Sequence, residues 1–232
     1  MDAGDSISSE NASWSFQGIP ISDFDEHISK SVPGYIDSHN IGLWLSDFFV
    51  KDDSCIYDLG SSSGAFLNKL QLRHSSKNCS FNGIESVESM FMQSEKLYPN
   101  ISFHNCDLLT YDFLKSDFIT SYYTIQFVPP RVRQRLIDSI YNSLEWGGAF
   151  LMFEKVRAPD ARFHEYISQM YVEYKLNQGY TPENIIAKSR SLKGVLEPFS
   201  SLGNRGLLER AGFVDICTVY KNLCFEGVLA IK

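Results

Sequence analysis

Ten residues constrain the fold more than any others: Cys55-Ile56-Tyr57-Asp58-Leu59-Gly60-Ser61-Ser62-Ser63-Gly64. An apolar run leads into an acid, a Gly-Ser turn comes next, and a helical pattern opens at Ala65-Phe66-Leu67. A buried parallel strand delivers its C-terminal end into a helix N-terminus in this way. Gly60 permits a sharp turn or a close approach of backbone to ligand, because it has no Cβ to clash. The D-x-G-x-x-x-G spacing is not a dinucleotide fingerprint, since Ser62 stands where the middle glycine belongs, and Ser63-Gly64-Ala65 lacks the lysine of a P-loop. Ligands of open α/β sheets bind just beyond the strand ends. An ordinary strand-to-helix turn is the plainer alternative, so the weight of the motif depends on the residues downstream of it.

Downstream, strands and helices alternate regularly. Helical spacing over 36–50 precedes the first strand, and 65–72 continues as a helix after it. Ser80 to Glu85 reads as a second strand ending in an acid, 87–97 as a helix, 101–104 as a short strand, and 117–122 as a fourth. Pro129-Pro130 opens a helix striped by Val132, Leu136, Ile140 and Leu144, which Gly147-Gly148 is expected to end. A fifth strand over 149–153 closes with Glu154-Lys155. Two helices, about 160–177 and 182–196, interrupt the alternation and read as an insertion, about 157–200, that caps the cleft. A helix over 204–211 and a strand pair at 214–220 and 224–231, joined at Lys221-Asn222, complete the chain. The pattern predicts an α/β, Rossmann-like, seven-stranded sheet with its last strand antiparallel and helices on both faces. Residues 14–232 are expected to form one catalytic domain behind a disordered stretch at 1–13.

Length and composition narrow the partners. A chain of 232 residues with 44% hydrophobic and 21% charged residues has the makings of one large core. A net charge of −7 argues against a broad surface for nucleic acid, which is held through many Lys and Arg contacts to phosphate. A small-molecule substrate is the better expectation. No apolar run approaches the ~18 residues of a membrane span, and the polar, acidic start is unlike a signal peptide. Five cysteines without C-x-x-C spacing read as buried thiols of a cytoplasmic protein, with no disulfide framework and no metal site expected.

Three acids fall at successive strand ends: Asp58, Glu85 and Asp107. S-adenosylmethionine presents an ammonium, a ribose diol and an adenine amine, all donors, along one sheet edge. Asp58 and the Gly60 turn suit the methionine end, Glu85, some 20–25 residues on, suits the ribose, and Asp107 suits the adenine. The chain resembles the carboxy-S-adenosyl-L-methionine synthase family over nearly everything from Trp14 onward. The likeness rests on Trp14-Ser15-Phe16, Ser31-Val32-Pro33-Gly34-Tyr35, Tyr57-Asp58-Leu59-Gly60, Thr124-Ile125-Gln126-Phe127, Gly147-Gly148-Ala149, Glu154-Lys155, Gly179-Tyr180 and Ala211-Gly212-Phe213. The resemblance implies S-adenosyl-L-methionine as cofactor, a homodimer, and cofactor contacts at Tyr35, Gly60, Ser61, Ser62, Glu85, Ser86, Asp107 and Leu108. It also implies that Tyr35, on its Pro-Gly loop, closes over the sulfonium.

The departures from the family pattern bear on the reaction. Ser61 stands where the family has cysteine, and Glu85-Ser86 where it has Asp-Asn. Tyr122 replaces an asparagine late in the fourth strand. The arginine that anchors the carboxylate of the carboxylated cofactor falls on Ser189, with Arg190 beside it, and adjacent helical residues point about 100° apart. Tyr122, Tyr123, Arg190 and His164 are therefore the candidate catalytic residues, and Tyr122 also counts toward the cofactor site. His104 and Glu154 are weaker candidates for a general base. These substitutions on the acceptor side favour methyl transfer to a small metabolite, with carboxy-S-adenosylmethionine synthesis from prephenate, with Arg190 as anchor, as the alternative. A non-catalytic binding protein on the same fold is the third reading.

Overall fold

The computed structural model describes Gly4 and residues 10–232. Most of the stretch expected to be disordered, residues 1–3 and 5–9, lies outside the described residues. From residue 10 the chain lies along a late helix, with the amides of Ala12 and Trp14 donating to the carbonyls of Arg190 and Ser191.

Two helices, α1 (Ile21–Ser31) and α2 (Tyr35–Ser46), lead in. After them come β1 (Cys55–Leu59), α3 (Ala65–Arg73), β2 (Ser80–Glu85), α4 (Glu88–Leu97), β3 (Ser102–Asn105) and β4 (Ser116–Tyr122). A 3₁₀ turn at Ile125–Phe127 precedes α5 (Pro130–Ser143) and β5 (Leu144–Lys155). The chain ends with α6 (Ala161–Asn177), α7 (Pro182–Ser191), α8 (Ser201–Ala211), β6 (Asp215–Asn222) and β7 (Phe225–Ile231).

The seven strands form one sheet in the order β3-β2-β1-β4-β5-β7-β6. All neighbours are parallel except β7, which runs antiparallel to both β5 and β6. The central strands are apolar on both sides because helices cover both faces. Ile56, Phe118, Leu151 and Phe153 join one core, while Tyr57, Leu59, Ile119, Phe150 and Met152 join the other. That division is the period-2 alternation of a strand.

Local chemistry sets the ends of the late helices. Asp160 caps α6 by accepting from the Phe163 amide. Thr181 and Asn184 close a reciprocal capping box on α7, and Pro182 sits in its first turn. Gly212 stops α8 at φ +116°, a conformation that costs other residues strain.

Four expectations need correction. Gly147-Gly148 do not end α5, which stops at Ser143; they lie inside β5, where the Gly147 amide and Gly148 carbonyl hold Lys232. The second inserted helix ends at Ser191 rather than 196. Lys221-Asn222 are still strand, and the turn is Leu223-Cys224, with Leu223 at φ +50°. Of the five cysteines only Cys224 is buried, and Cys217 is exposed because β6 is the sheet's edge strand. No helix among the described residues is long and apolar enough to cross a membrane.

Candidate functional site

β1, β2 and β4 end side by side, and the loops that leave them wall a cavity of about 390 Å³. The Gly60–Gly64 loop holds a tight course: Gly60, Ser62 and Gly64 all have positive φ (+69°, +47°, +75°). A Cβ at Gly60 would lie 2.3 Å from the Thr124 hydroxyl, so only glycine fits there. The Gly60 and Ser61 amides donate to the Ile84 carbonyl, which ties this loop to β2.

Glu85 ends β2 and is buried. One carboxylate oxygen accepts from the Ser62 amide at 2.9 Å, the other from the Val87 amide at 2.7 Å. The side chain thus organises two loops while it lines the cavity. Burial raises its pKa against the pull of those N–H groups. Asp58, buried near the end of β1, accepts from the Thr120 hydroxyl at 2.8 Å. Burial pushes its pKa up to about 7, with Glu85 adding to the rise.

Beyond β4 the chain is strained and laced. Tyr123 has φ +60°, an outlier for so bulky a residue. Its amide donates to the Phe153 carbonyl at 2.7 Å. Glu154, at the end of β5, accepts from the Ile125 and Gln126 amides at 2.9 and 2.8 Å. Burial pushes its pKa up to about 8. The Tyr122 hydroxyl donates to the Ser38 carbonyl, and its ring stacks on Phe153 at 4.8 Å.

The sequence-derived residues divide into three groups. Gly60, Ser62, Glu85, Ser86, Leu108, Tyr122 and Tyr123 line the large cavity. Tyr35, Asp58 and Ser61 line a smaller chamber beside it, which shares Gly60, Ser62, Tyr122 and Tyr123. Asp107, Arg190 and His164 line neither. Asp107 is exposed and accepts from the Leu109 amide. Arg190 is exposed on α7 and His164 exposed on α6.

Sequence reasoning missed two lysines. Lys155 lines the cavity with its ammonium 4.6 Å from the Tyr171 ring centre, and burial lowers its pKa. Lys188, two residues before Arg190, also lines the cavity and donates to the Ser31 hydroxyl at 2.8 Å. The strand-end pair Glu154-Lys155 was legible in the sequence, but the direction of Lys155 was not. Trp14, Phe16, Phe24 and Phe127 supply the apolar wall.

Comparisons with known proteins bear on the family and the fold. The methyltransferase-domain family matches residues 56–148. A carboxy-S-adenosyl-L-methionine synthase of Staphylococcus epidermidis is 35% identical over 224 residues, covering 94% of this chain and 97% of the relative. The chain belongs to the carboxy-S-adenosyl-L-methionine synthase family. It is thereby an enzyme of the S-adenosylmethionine-dependent transferase class. A Campylobacter jejuni family member is likewise 35% identical, over 90% of each chain. Two solved structures share the fold at lower identity. Human N-acetylserotonin methyltransferase in complex with S-adenosylmethionine has a TM-score of 0.62 at 15% identity, covering 91% of this chain and 55% of that one. The S-adenosylmethionine-dependent methyltransferase SibL has a TM-score of 0.60 at 16% identity, covering 94% and 64%.

Proposed function

We propose that the chain makes carboxy-S-adenosyl-L-methionine, binding S-adenosyl-L-methionine across the ends of β1, β2 and β4 and a small anionic second substrate in the large cavity. The residues fit the cofactor. Gly60 leaves room at the loop, Glu85 keeps lone pairs beyond its two backbone bonds, and the Ser61 hydroxyl is buried without a partner. Tyr35, Asp58, Ser62, Ser86, Leu108 and Tyr122 complete the contacts, with Asp107 beside Leu108 toward the adenine end. When bound, S-adenosylmethionine supplies a one-carbon group on a sulfonium.

The observation that carries the anionic substrate is Lys155. It lines the cavity under partial burial, and no carboxylate among the described residues pairs with it. A buried cation without an anion is costly, and a substrate carboxylate would meet that need. Lys188 adds a second ammonium on the same wall. The aromatic wall excludes water and so strengthens both contacts. The resemblance implies prephenate as the carboxyl source, so the substrate brings carboxylates to these lysines. Tyr122 and Tyr123 flank the reacting region. Arg190 and His164 have no part in this reading, because neither lines the cavity.

The test is mass spectrometry of the protein incubated with S-adenosylmethionine and prephenate. Carboxylated product is expected from the wild type. Lys155→Met should lower its rate at least about tenfold, the order expected for a lost charged hydrogen bond, while S-adenosylmethionine affinity holds. Methyl transfer to a small metabolite is the second reading, favoured by one observation: no arginine among the described residues lines the cavity. Absence of carboxylated product would decide for it.

The same reading makes the enzyme a cytoplasmic homodimer that acts on free small molecules and not on nucleic acid. The net charge of −7 supports the last point. The α6 helix supports the dimer: it has no buried residue and exposes Phe163, Tyr166 and Met170.

A further inference from the structure

Where α1 meets α7, a small polar cluster borders the large cavity. His27 and Ser31 stand four residues apart, hence on one face of α1, and are 4% and 6% exposed. Lys188 reaches them from α7, and all three line the cavity. The Lys188 ammonium donates to the Ser31 hydroxyl at 2.8 Å and to Nε2 of the His27 ring. Across that ring, Nδ1 lies 3.2 Å from the hydroxyl of buried Tyr180, which is itself 3.2 Å from the Ser31 hydroxyl. Four side chains thus close a ring of hydrogen bonds.

The donors in that ring have only one consistent direction. An ammonium has three donors and no acceptor. Nε2 of His27 must therefore offer a lone pair, which puts the imidazole proton on Nδ1, facing Tyr180. The Tyr180 hydroxyl accepts from Nδ1–H and donates to the Ser31 hydroxyl. A neutral imidazole orients the ammonium without cancelling its charge, as a carboxylate would. Trp14 closes another side: its ring stacks on His27 at 5.8 Å between centres, and the Lys188 ammonium lies 5.2 Å from the Trp14 ring centre.

Ser31 also connects the cluster to the other cation. Its carbonyl accepts from the Tyr171 hydroxyl at 2.7 Å, and the Lys155 ammonium sits 4.6 Å from the Tyr171 ring centre. One residue of α1 thus joins the frames of both lysines. A lysine has a long flexible stem and loses rotamer freedom when it grips a ligand. Holding it in place beforehand removes that cost from binding. We propose that His27 is a positioning residue: as the Nδ1–H tautomer fixed by Tyr180, it accepts from Lys188 and holds that ammonium on the cavity wall for a carboxylate of the second substrate. This inference rests on the anionic-substrate reading above.

Two measurements test it. Long-range proton–nitrogen spectra of histidine-labelled protein report the tautomer, with the His27 signal assigned by its loss in His27→Gln. A neutral Nδ1–H ring is expected, and its Nε2 shift should move in Lys188→Met. An Nε2–H tautomer or a doubly protonated ring at neutral pH would overturn the proposal. Calorimetry with prephenate on protein loaded with S-adenosylhomocysteine reads the consequence. His27→Leu should weaken prephenate about three- to tenfold while S-adenosylhomocysteine affinity holds. His27→Gln, whose amide oxygen reaches the place of Nε2, should recover most of the loss. In the Lys188→Met background His27→Leu should cost nothing further, since its effect passes through Lys188. No loss in either background would overturn the proposal, and so would an equal loss in both, which marks His27 as a packing residue. Wild-type protein that takes no prephenate would overturn the anionic-substrate reading, and the spectra would still decide whether His27 holds Lys188.

Discussion

Asp58 and Glu85 sit at neighbouring strand ends but act differently. Glu85 already accepts two backbone N–H bonds and shapes the loops. Asp58 accepts one hydroxyl and carries a pKa pushed up to about 7 by burial and by Glu85. If a cofactor ammonium binds beside it, the ionised form is the one favoured, so a proton competes with the ligand below that pKa. Affinity for S-adenosylhomocysteine should therefore rise from pH 5 to 7, by at most about tenfold per unit. Above 7 this contribution levels off. Calorimetry across that range checks it, and Asp58→Asn should bind weakly with a flat profile. Glu85→Ala should lose about 1.5–3 kcal/mol of cofactor affinity through a charged hydrogen bond, visible in the same titration.

The segment between β4 and α5 is held by bonds within itself and to its neighbours. Glu154 holds the 3₁₀ turn by two amides, Gln126 donates to the Tyr123 carbonyl and accepts from the Lys155 amide, and Arg133 donates to the Val128 and Gln126 carbonyls. Glu154→Ala would strand two buried N–H groups at about 1–3 kcal/mol each. A drop of that combined size in denaturant unfolding is expected, and a smaller one for Glu154→Gln, which keeps an acceptor. At α7, Thr181→Ala removes the capping box and should cost about 0.5–2 kcal/mol. Faster hydrogen exchange confined to the first turns of α7, with the rest of the chain protected, would register it.

Across the molecule, the cavity lies between the sheet's strand ends and segments far apart in sequence. Trp14, Phe16, Phe24 and Ser31 come from the start, Lys188, Leu192 and Val195 from the inserted helices, and Phe225 from the last strand. The insertion also leaves Phe163, Tyr166 and Met170 exposed at spacings of three and four along α6, hence on one face. A second copy covering that face is the proposed dimer. Tyr166→Glu combined with Met170→Glu should turn a dimer into a folded monomer by light scattering. A wild-type monomer at micromolar concentration would refute the pairing.

Strand periodicity, the Gly60 loop and the acids near the ends of β1 and β2 were legible in the sequence, because a strand's two faces and a glycine turn are local matters of spacing and sterics, whereas Asp107 lies two residues past β3 and is exposed. So was the family, through segments such as Ser31-Val32-Pro33-Gly34-Tyr35. The sequence alone could not decide which cation turns inward. Adjacent helical residues point in different directions, and the packing of α7 exposed Ser189 and Arg190 while setting Lys188 on the cavity wall. Nor could it single out His27, a position on α1 whose meaning depends on Tyr180 and Lys188 arriving from elsewhere. Local pattern determined the elements and the loop; burial and direction, which depend on contacts distant in sequence, were decided only by the tertiary structure.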